Sequence, residues 1–98
     1  MIKHIVMWRI SDSLDKSVAG KRTKELLEAM TGKIPGLQHI EVGINFADEA
    51  SAADVVLYTV FENQAALELY QTHPVHEAVK PLIKEMMKER RIVDYLTD

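Results

Sequence analysis

The sequence contains no cysteine, and this absence removes several classes of function at once. Disulfides, thiolate nucleophiles and cysteine-based zinc sites are all excluded. No apolar run approaches the ~20 residues that a membrane-spanning helix needs. Acidic residues outnumber basic ones by 15 to 12, and the only basic cluster is Lys88–Arg91. No basic face for nucleic acid is visible, and Lys3 and His4 interrupt anything like a signal sequence. Taken together, these absences lead us to expect a cytoplasmic protein without nucleic-acid or membrane partners.

The remaining composition is that of an ordinary soluble protein. The chain has 98 residues, of which 47% are hydrophobic and 28% charged. These values are typical of a globular protein, and the length fits one domain over residues 1–98.

Four stretches of alternating apolar residues predict β-strands. Ile2–Ile10 and Asp54–Phe61 are apolar on both faces in the middle, which indicates central strands covered on both sides. Leu37–Phe46 has one apolar and one more polar face, which is typical of an edge strand. Arg91–Leu96 is predicted to be the last strand.

Apolar residues at helical spacing predict helices between the first and second strands and between the third and fourth. The first helix begins within Ser11–Asp15, where Ser11, Asp12 or Ser13 can cap it, and ends near Gly32. A second helix follows Asn63 to about Tyr70, and another helical stretch runs from Pro74 to about Lys88. The resulting order, β-α-β-β-α-β, predicts an α+β, ferredoxin-like fold with an antiparallel four-stranded sheet.

This topology places all helices on one face of the sheet and leaves the other face uncovered. Four strands of about seven residues form a face of roughly 400–450 Å² in projection. A soluble monomer seldom exposes an apolar patch of that size. A second copy of the sheet would cover it, so we expect a homodimer with a barrel between the sheets. The residues expected on the uncovered face are Val6, Trp8, Val42, Tyr58 and Val60.

Several short motifs along the chain resemble those of the stress-responsive dimeric α/β-barrel family, known as Dabb. They are Met1–Val6, Ile34–Gly36, Glu41–Asn45, Asp54, Phe61–Glu62, Tyr70–His76 and Val93–Tyr95. The resemblance covers nearly the whole chain and implies a homodimer of ferredoxin-like subunits whose sheets form a dimeric α/β barrel. Many members of this family have no assigned reaction.

Tyr70–His76 is the stretch that most suggests chemistry, because it sets a phenol and two imidazoles at a helix junction forced by Pro74. A histidine can remove an α-proton and a phenol can stabilise the resulting enolate. The alternative is that Tyr70 and His76 only cap helix ends. The resemblance implies catalytic roles for these two residues, since a few plant relatives cyclise polyketide chains with the matching pair. Val55 stands where those enzymes have a further histidine.

Four more residues complete the candidate site. We expect the ligand to contact His4, Trp8, Tyr58 and His73, of which His4 matches a pocket histidine of the related enzymes. His73 and His76 are three residues apart, but Pro74 separates them and no third ligand is near, so no metal is predicted.

Three functions remain open at this point. The first is a module that binds a small apolar or aromatic molecule without turnover. The second is a cofactor-free cyclase, isomerase or lyase that uses the Tyr-His pair. The third is a haem-dependent oxygenase with His76 or His73 as the axial ligand, and we rank it last. We therefore expect no cofactor, and we expect the chain itself and a small molecule as partners.

Overall fold

The computed structural model describes residues 1–97 and has the predicted order of strands, with the second helical region divided into two helices. The elements are β1 (Ile2–Ile10), α1 (Lys16–Glu28), β2 (Leu37–Ile44), β3 (Val55–Phe61), α2 (Gln64–Thr72), α3 (Pro74–Met86) and β4 (Met87–Leu96). The four strands form one antiparallel sheet in the order β2-β3-β1-β4. The predicted ferredoxin-like subunit, with β1 and β3 central, is therefore confirmed.

The helices cover one face of the sheet, and the hydrophobic core lies between them. All five helix-facing side chains of β1 are buried: Ile2, His4, Val6, Trp8 and Ile10. Alternate residues of β3 are buried beside them: Val55, Leu57, Thr59 and Phe61. The core thus takes one complete face of each central strand, as period-two alternation requires.

The expectation that Val6, Trp8 and Val42 lie on the uncovered face is wrong. Val6 and Val42 are both register partners of Leu57, and directly opposed residues share a face of the sheet. These side chains therefore face the helices. Of the five residues expected on the uncovered face, only Tyr58 and Val60 lie there.

Local side chains define where the helices begin. The Asp15 carboxylate accepts from the Val18 amide at 2.9 Å and caps α1, and the Asn63 side chain accepts from the Ala66 amide at 2.9 Å and caps α2. Gly36 turns the chain into β2 with φ of +79°, and a Cβ there would lie 2.5 Å from the Ala66 Cβ. Only glycine fits both requirements at that position.

Two predicted strand boundaries differ from those observed by two or more residues, and β3 begins one residue later than predicted, at Val55. β2 ends at Ile44 rather than Phe46, because the Asn45 side chain exchanges hydrogen bonds with the Ala47 backbone in a local turn. β4 begins at Met87 rather than Arg91, so α3 ends two residues before the predicted Lys88. The cause of the second difference is long-range, since the whole length of β1 pairs with β4.

Within residues 1–97, no helix combines the length and apolar character needed to cross a membrane.

Candidate functional site

A cavity of about 420 Å³ lies between the helices and the helix-facing side of the sheet. Its walls come from the middle of β1, the end of α2, the inner face of α3 and the beginning of β4. The lining residues are His4, Val6, Trp8, Leu27, Leu57, Tyr70, Gln71, His76, Val79, Lys80, Ile83, Lys84, Met87, Lys88, Glu89 and Arg90. This volume falls in the range typical of small-molecule sites.

Tyr70 lines the cavity and carries a phenol hydroxyl that is buried. The residue lies in the last turn of α2, and its side chain is fully buried. Its ring is stacked on the His76 ring, and the two ring centroids are 3.9 Å apart. Its hydroxyl has no hydrogen-bond partner among residues 1–97. Burial raises the pKa of this phenol well above its ordinary value, so at neutral pH the group is a protonated donor. A buried donor without a partner costs about 1–3 kcal/mol.

His76 lies in the first turn of α3, directly after the break at Pro74. Its Nδ1 atom is 3.0 Å from the Tyr70 carbonyl oxygen. A carbonyl only accepts, so Nδ1 carries the proton and Nε2 of the neutral ring keeps its lone pair. Burial, partly offset by that hydrogen bond, lowers the pKa of His76 to about 4. The ring is therefore neutral at physiological pH.

His4 approaches the same place from the sheet. It is only 2% exposed, and its ring meets the Tyr70 ring edge-on with centroids 5.8 Å apart. Its Nδ1 atom is paired with the carboxylate of Asp94, the residue beside it in the β1–β4 register. A carboxylate at Nδ1 fixes the orientation and tautomer of an imidazole.

The structure thus brings together four of the six residues predicted for the site. His4, Trp8, Tyr70 and His76 all line the cavity, although they come from three different elements. Trp8 is 6% exposed, and its register partner on β4 is Arg90, which also lines the cavity.

Tyr58 and His73 lie elsewhere, which separates them from the predicted ligand set. Tyr58 is on the opposite face of the sheet, where its hydroxyl accepts a hydrogen bond from the Lys3 ammonium. His73 caps α3: its Nδ1 atom accepts from the Val75 amide at 3.1 Å. Because side chains alternate along a strand, Tyr58 lies on the opposite face from Leu57. His73 precedes Pro74, and the extended backbone favoured before a proline suits the residue that caps a helix.

Two polar residues of the site were not predicted. Asp94 was noted only within the Val93–Tyr95 motif, and Arg90 only as part of a charged helix end. Both face the helices because β4 begins early and pairs with β1 throughout. The sequence did contain a signal for this placement. Arg90, Ile92 and Asp94 occupy every second position, which puts them on one face of a strand that begins earlier than the predicted one.

No group of three or more potential metal-ligating side chains (His, Cys, Asp or Glu) occurs in the part of the chain that the structure describes, residues 1–97. The imidazoles near the cavity are occupied by other partners at Nδ1: Asp94 for His4 and the Tyr70 carbonyl for His76.

Comparison with known proteins gives a consistent result. An uncharacterised protein of Streptomyces coelicolor is 29% identical over 89 residues, which cover 87% of this chain and 89% of that protein. A crystal structure of a dimeric protein of unknown function with a ferredoxin-like fold, from Bacteroides fragilis, is 34% identical. It superposes with a TM-score of 0.84 over 96% of this chain and 93% of that one.

The same fold occurs in a protein of known activity. Hydroxynitrile lyase from Passiflora edulis superposes with a TM-score of 0.84, over 99% of this chain and 93% of the lyase, at 13% identity. At that identity the similarity concerns the fold alone. The model of the stress-responsive A/B barrel domain (Dabb) matches residues 2–97. The resemblance drawn from the sequence motifs is thereby confirmed: the chain belongs to the stress-responsive A/B barrel domain family.

Proposed function

We propose that the cavity binds a small apolar or aromatic molecule that carries a hydrogen-bond acceptor, and that the chain acts in this way as a homodimer. The observation that carries the proposal is the buried hydroxyl of Tyr70, which has no hydrogen-bond partner among residues 1–97 and belongs to a residue that lines a cavity of about 420 Å³. A carbonyl or ether oxygen of a ligand would accept from that hydroxyl and offset its desolvation.

The rest of the wall favours an apolar body for this ligand. Trp8, Leu57, Val79 and Ile83 supply flat and aliphatic surface, and three of these side chains are otherwise buried. An aromatic ring would displace water from this surface and gain offset or edge-on contacts with Trp8. The combination of apolar walls with a few placed polar groups is the usual composition of a ligand site.

A titration with 4-phenylbutan-2-one tests the proposal, because this molecule joins a phenyl ring to one ketone oxygen. Trp8 is the only tryptophan and lines the cavity, so its fluorescence reports occupancy directly. At ~0.4–0.5 kcal/mol per heavy atom, the expected Kd is about 0.1–1 mM.

The matched variants are Val79→Phe, which adds volume at the cavity wall, and Val18→Phe, which adds the same volume on a side chain that is 66% exposed on α1. The first should abolish the titration and the second should leave it unchanged. Unchanged binding by Val79→Phe, or no binding by the wild-type protein, would overturn the proposal.

The homodimer is supported by the uncovered face of the sheet and by the dimeric state of the Bacteroides fragilis protein. That face carries a band of apolar and aromatic side chains that are half-buried or exposed in the single chain: Ile5, Val56, Tyr58, Val60, Val93 and Tyr95. A second copy packed against this band would remove it from water.

A second candidate function is cofactor-free acid-base catalysis, which the neighbouring Tyr70 hydroxyl and His76 Nε2 lone pair favour. In this reaction the α-C–H bond of a bound ketone breaks, its proton moves to Nε2, and the enolate oxygen accepts from the Tyr70 hydroxyl. Return of the proton restores the ketone. A pKa of about 4 makes His76 a weak base, because general bases work best when their pKa is near the working pH. The lowered pKa of His76 therefore favours binding over turnover at neutral pH.

Deuterium exchange separates these two functions without knowledge of the natural substrate. With 4-phenylbutan-2-one in D₂O, NMR measures replacement of the α-protons. Catalysis predicts exchange faster than in buffer for the wild-type protein and a return to the buffer rate for His76→Gln. Exchange at the buffer rate with the cavity occupied would refute catalysis on this ketone and leave the binding proposal intact.

A further inference from the structure

Positive charge is concentrated around the cavity, in a chain whose net charge is −3. The charged lining residues are Lys80, Lys84, Lys88, Arg90 and Glu89. All five are exposed, whereas the aromatic and aliphatic lining is largely buried, so the charges surround the mouth and not the interior. A cationic mouth above an apolar interior is complementary to an amphipathic anion.

Three of these five residues already have partners. Lys80 donates to the Glu77 carboxylate and to the Gln71 carbonyl, and Lys88 lies 2.7 Å from a carboxylate oxygen of Asp12.

Glu89, the one anion, is 3.7 Å from the Arg9 guanidinium. Its register partner on β1 is Arg9, and that pair alternates with the helix-facing pair of Trp8 and Arg90. The Glu89 carboxylate is therefore paired with Arg9 on the face of the sheet opposite to the helices.

Lys84 and Arg90 differ from these three, since neither forms a salt bridge within residues 1–97. They reach the mouth from two sides. Lys84 follows His76 and Lys80 at intervals of four residues, so it lies on the same face of α3. Arg90 lies on β4 as the register partner of Trp8. Its positive charge partly opposes the rise that burial causes in the pKa of Tyr70, so the Arg90 guanidinium lies within electrostatic range of the Tyr70 hydroxyl.

We propose that the ligand of this cavity is a carboxylate, whose apolar body lies against Trp8 and whose anionic end is held at the mouth between Lys84 and Arg90. The inference rests on the proposed binding function and names the class of ligand. A guanidinium can donate two parallel hydrogen bonds to a carboxylate, and an ammonium adds a third. Neither cation loses an ion pair to a residue within 1–97 when the ligand binds.

The test uses two probes that share one skeleton with the ketone above. 4-Oxo-6-phenylhexanoate extends 4-phenylbutan-2-one by a –CH2–COO⁻ group, and its methyl ester keeps the same carbon skeleton without the charge. Trp8 fluorescence is followed for both. We expect the acid to bind about tenfold more tightly than the ester at low salt. We also expect this advantage to shrink as ionic strength rises, while ester binding stays constant.

Variants assign the charge to its residues. Lys84→Gln and Arg90→Gln should each weaken acid binding about fivefold and leave ester binding unchanged. Lys21→Gln, on the exposed side of α1, should change neither.

The outcomes distinguish this inference from the proposal beneath it. If the ester and the ketone bind but the acid binds no more tightly, the carboxylate inference is wrong and the cavity is still a binding site. If the acid binds more tightly but the two variants bind it as the wild-type does, the assignment to Lys84 and Arg90 is wrong. If none of the three molecules binds, the proposed function fails as well.

Discussion

Replacement of Tyr70 by phenylalanine should make the protein more stable and a poorer binder at the same time. The hydroxyl is buried and has no hydrogen-bond partner within the described residues 1–97. The ring centroid lies 5.0 Å from that of Phe61, and the ring stacks on His76. Tyr70→Phe keeps the ring and removes only the desolvated group. Mutations in the core usually destabilise, so an increase in stability is a specific consequence of the unpartnered hydroxyl.

The size of the effect follows from the cost of an unsatisfied buried donor. Taking the lower end of ~1–3 kcal/mol, we expect the free energy of unfolding to rise by about 1 kcal/mol. For a domain of this length that corresponds to about 4–8 °C in Tm. Urea unfolding and calorimetry at a fixed protein concentration measure both quantities. Thr59→Val is the control: it removes a buried hydroxyl that donates to the His4 carbonyl at 2.6 Å, so it should lower stability instead of raising it.

The binding half of this prediction has the opposite sign. Loss of one hydrogen bond to the ketone oxygen of 4-phenylbutan-2-one should raise its Kd about fivefold, equivalent to ~1 kcal/mol. A destabilised Tyr70→Phe variant would show that the hydroxyl has a partner in the free protein. A stabilised variant that binds the ketone as tightly as the wild-type would show that the hydroxyl does not contact the ligand. Either result refutes the reasoning.

Three further predictions concern pH, the sheet side of the site and assembly. The folded-state pKa of His76 is lowered to about 4 from 6.5, so as the pH falls the unfolded chain takes up a proton before the folded chain does. The free energy of unfolding, measured in urea, should therefore fall by about 1–2 kcal/mol between pH 7 and 4.5. This pH-dependent loss should be absent in His76→Gln. Asp94→Asn removes the carboxylate that orients His4 and should cost about 1–2 kcal/mol in the same assay; an unchanged stability would contradict the pairing. Val60→Lys, on the uncovered face, should yield monomers by light scattering, whereas Val18→Lys on α1 should remain dimeric; a dimeric Val60→Lys would place the interface elsewhere.

Much of the fold could be predicted because its signals are local. The alternation in Ile2–Ile10, the cap at Asn63 and the turn at Gly36 each depend on a few neighbouring residues, and together they leave one common topology. The choice of covered face was not local. A strand that is apolar on both sides does not reveal which side meets the helices, and Val6 and Trp8 were therefore placed on the wrong one.

The candidate site was predictable to the extent that its residues stand in recognisable motifs. Tyr70 and His76 flank the proline corner, and the predicted topology brings His4 near them. Asp94 and Arg90 depend instead on the register between β1 and β4, which shifts between Arg9 and Ile10, and no short-range pattern determines such a register. The charged run at Lys88–Arg91 concealed the beginning of β4 for the same reason.

A crystal structure with 4-phenylbutan-2-one would test the central claim most directly, because it locates the ligand and its oxygen. We predict density for the ligand in the cavity between sheet and helices, with its phenyl ring against Trp8 and its ketone oxygen about 2.7 Å from the Tyr70 hydroxyl. Density confined to another surface, or a ketone oxygen directed away from Tyr70, would contradict the account.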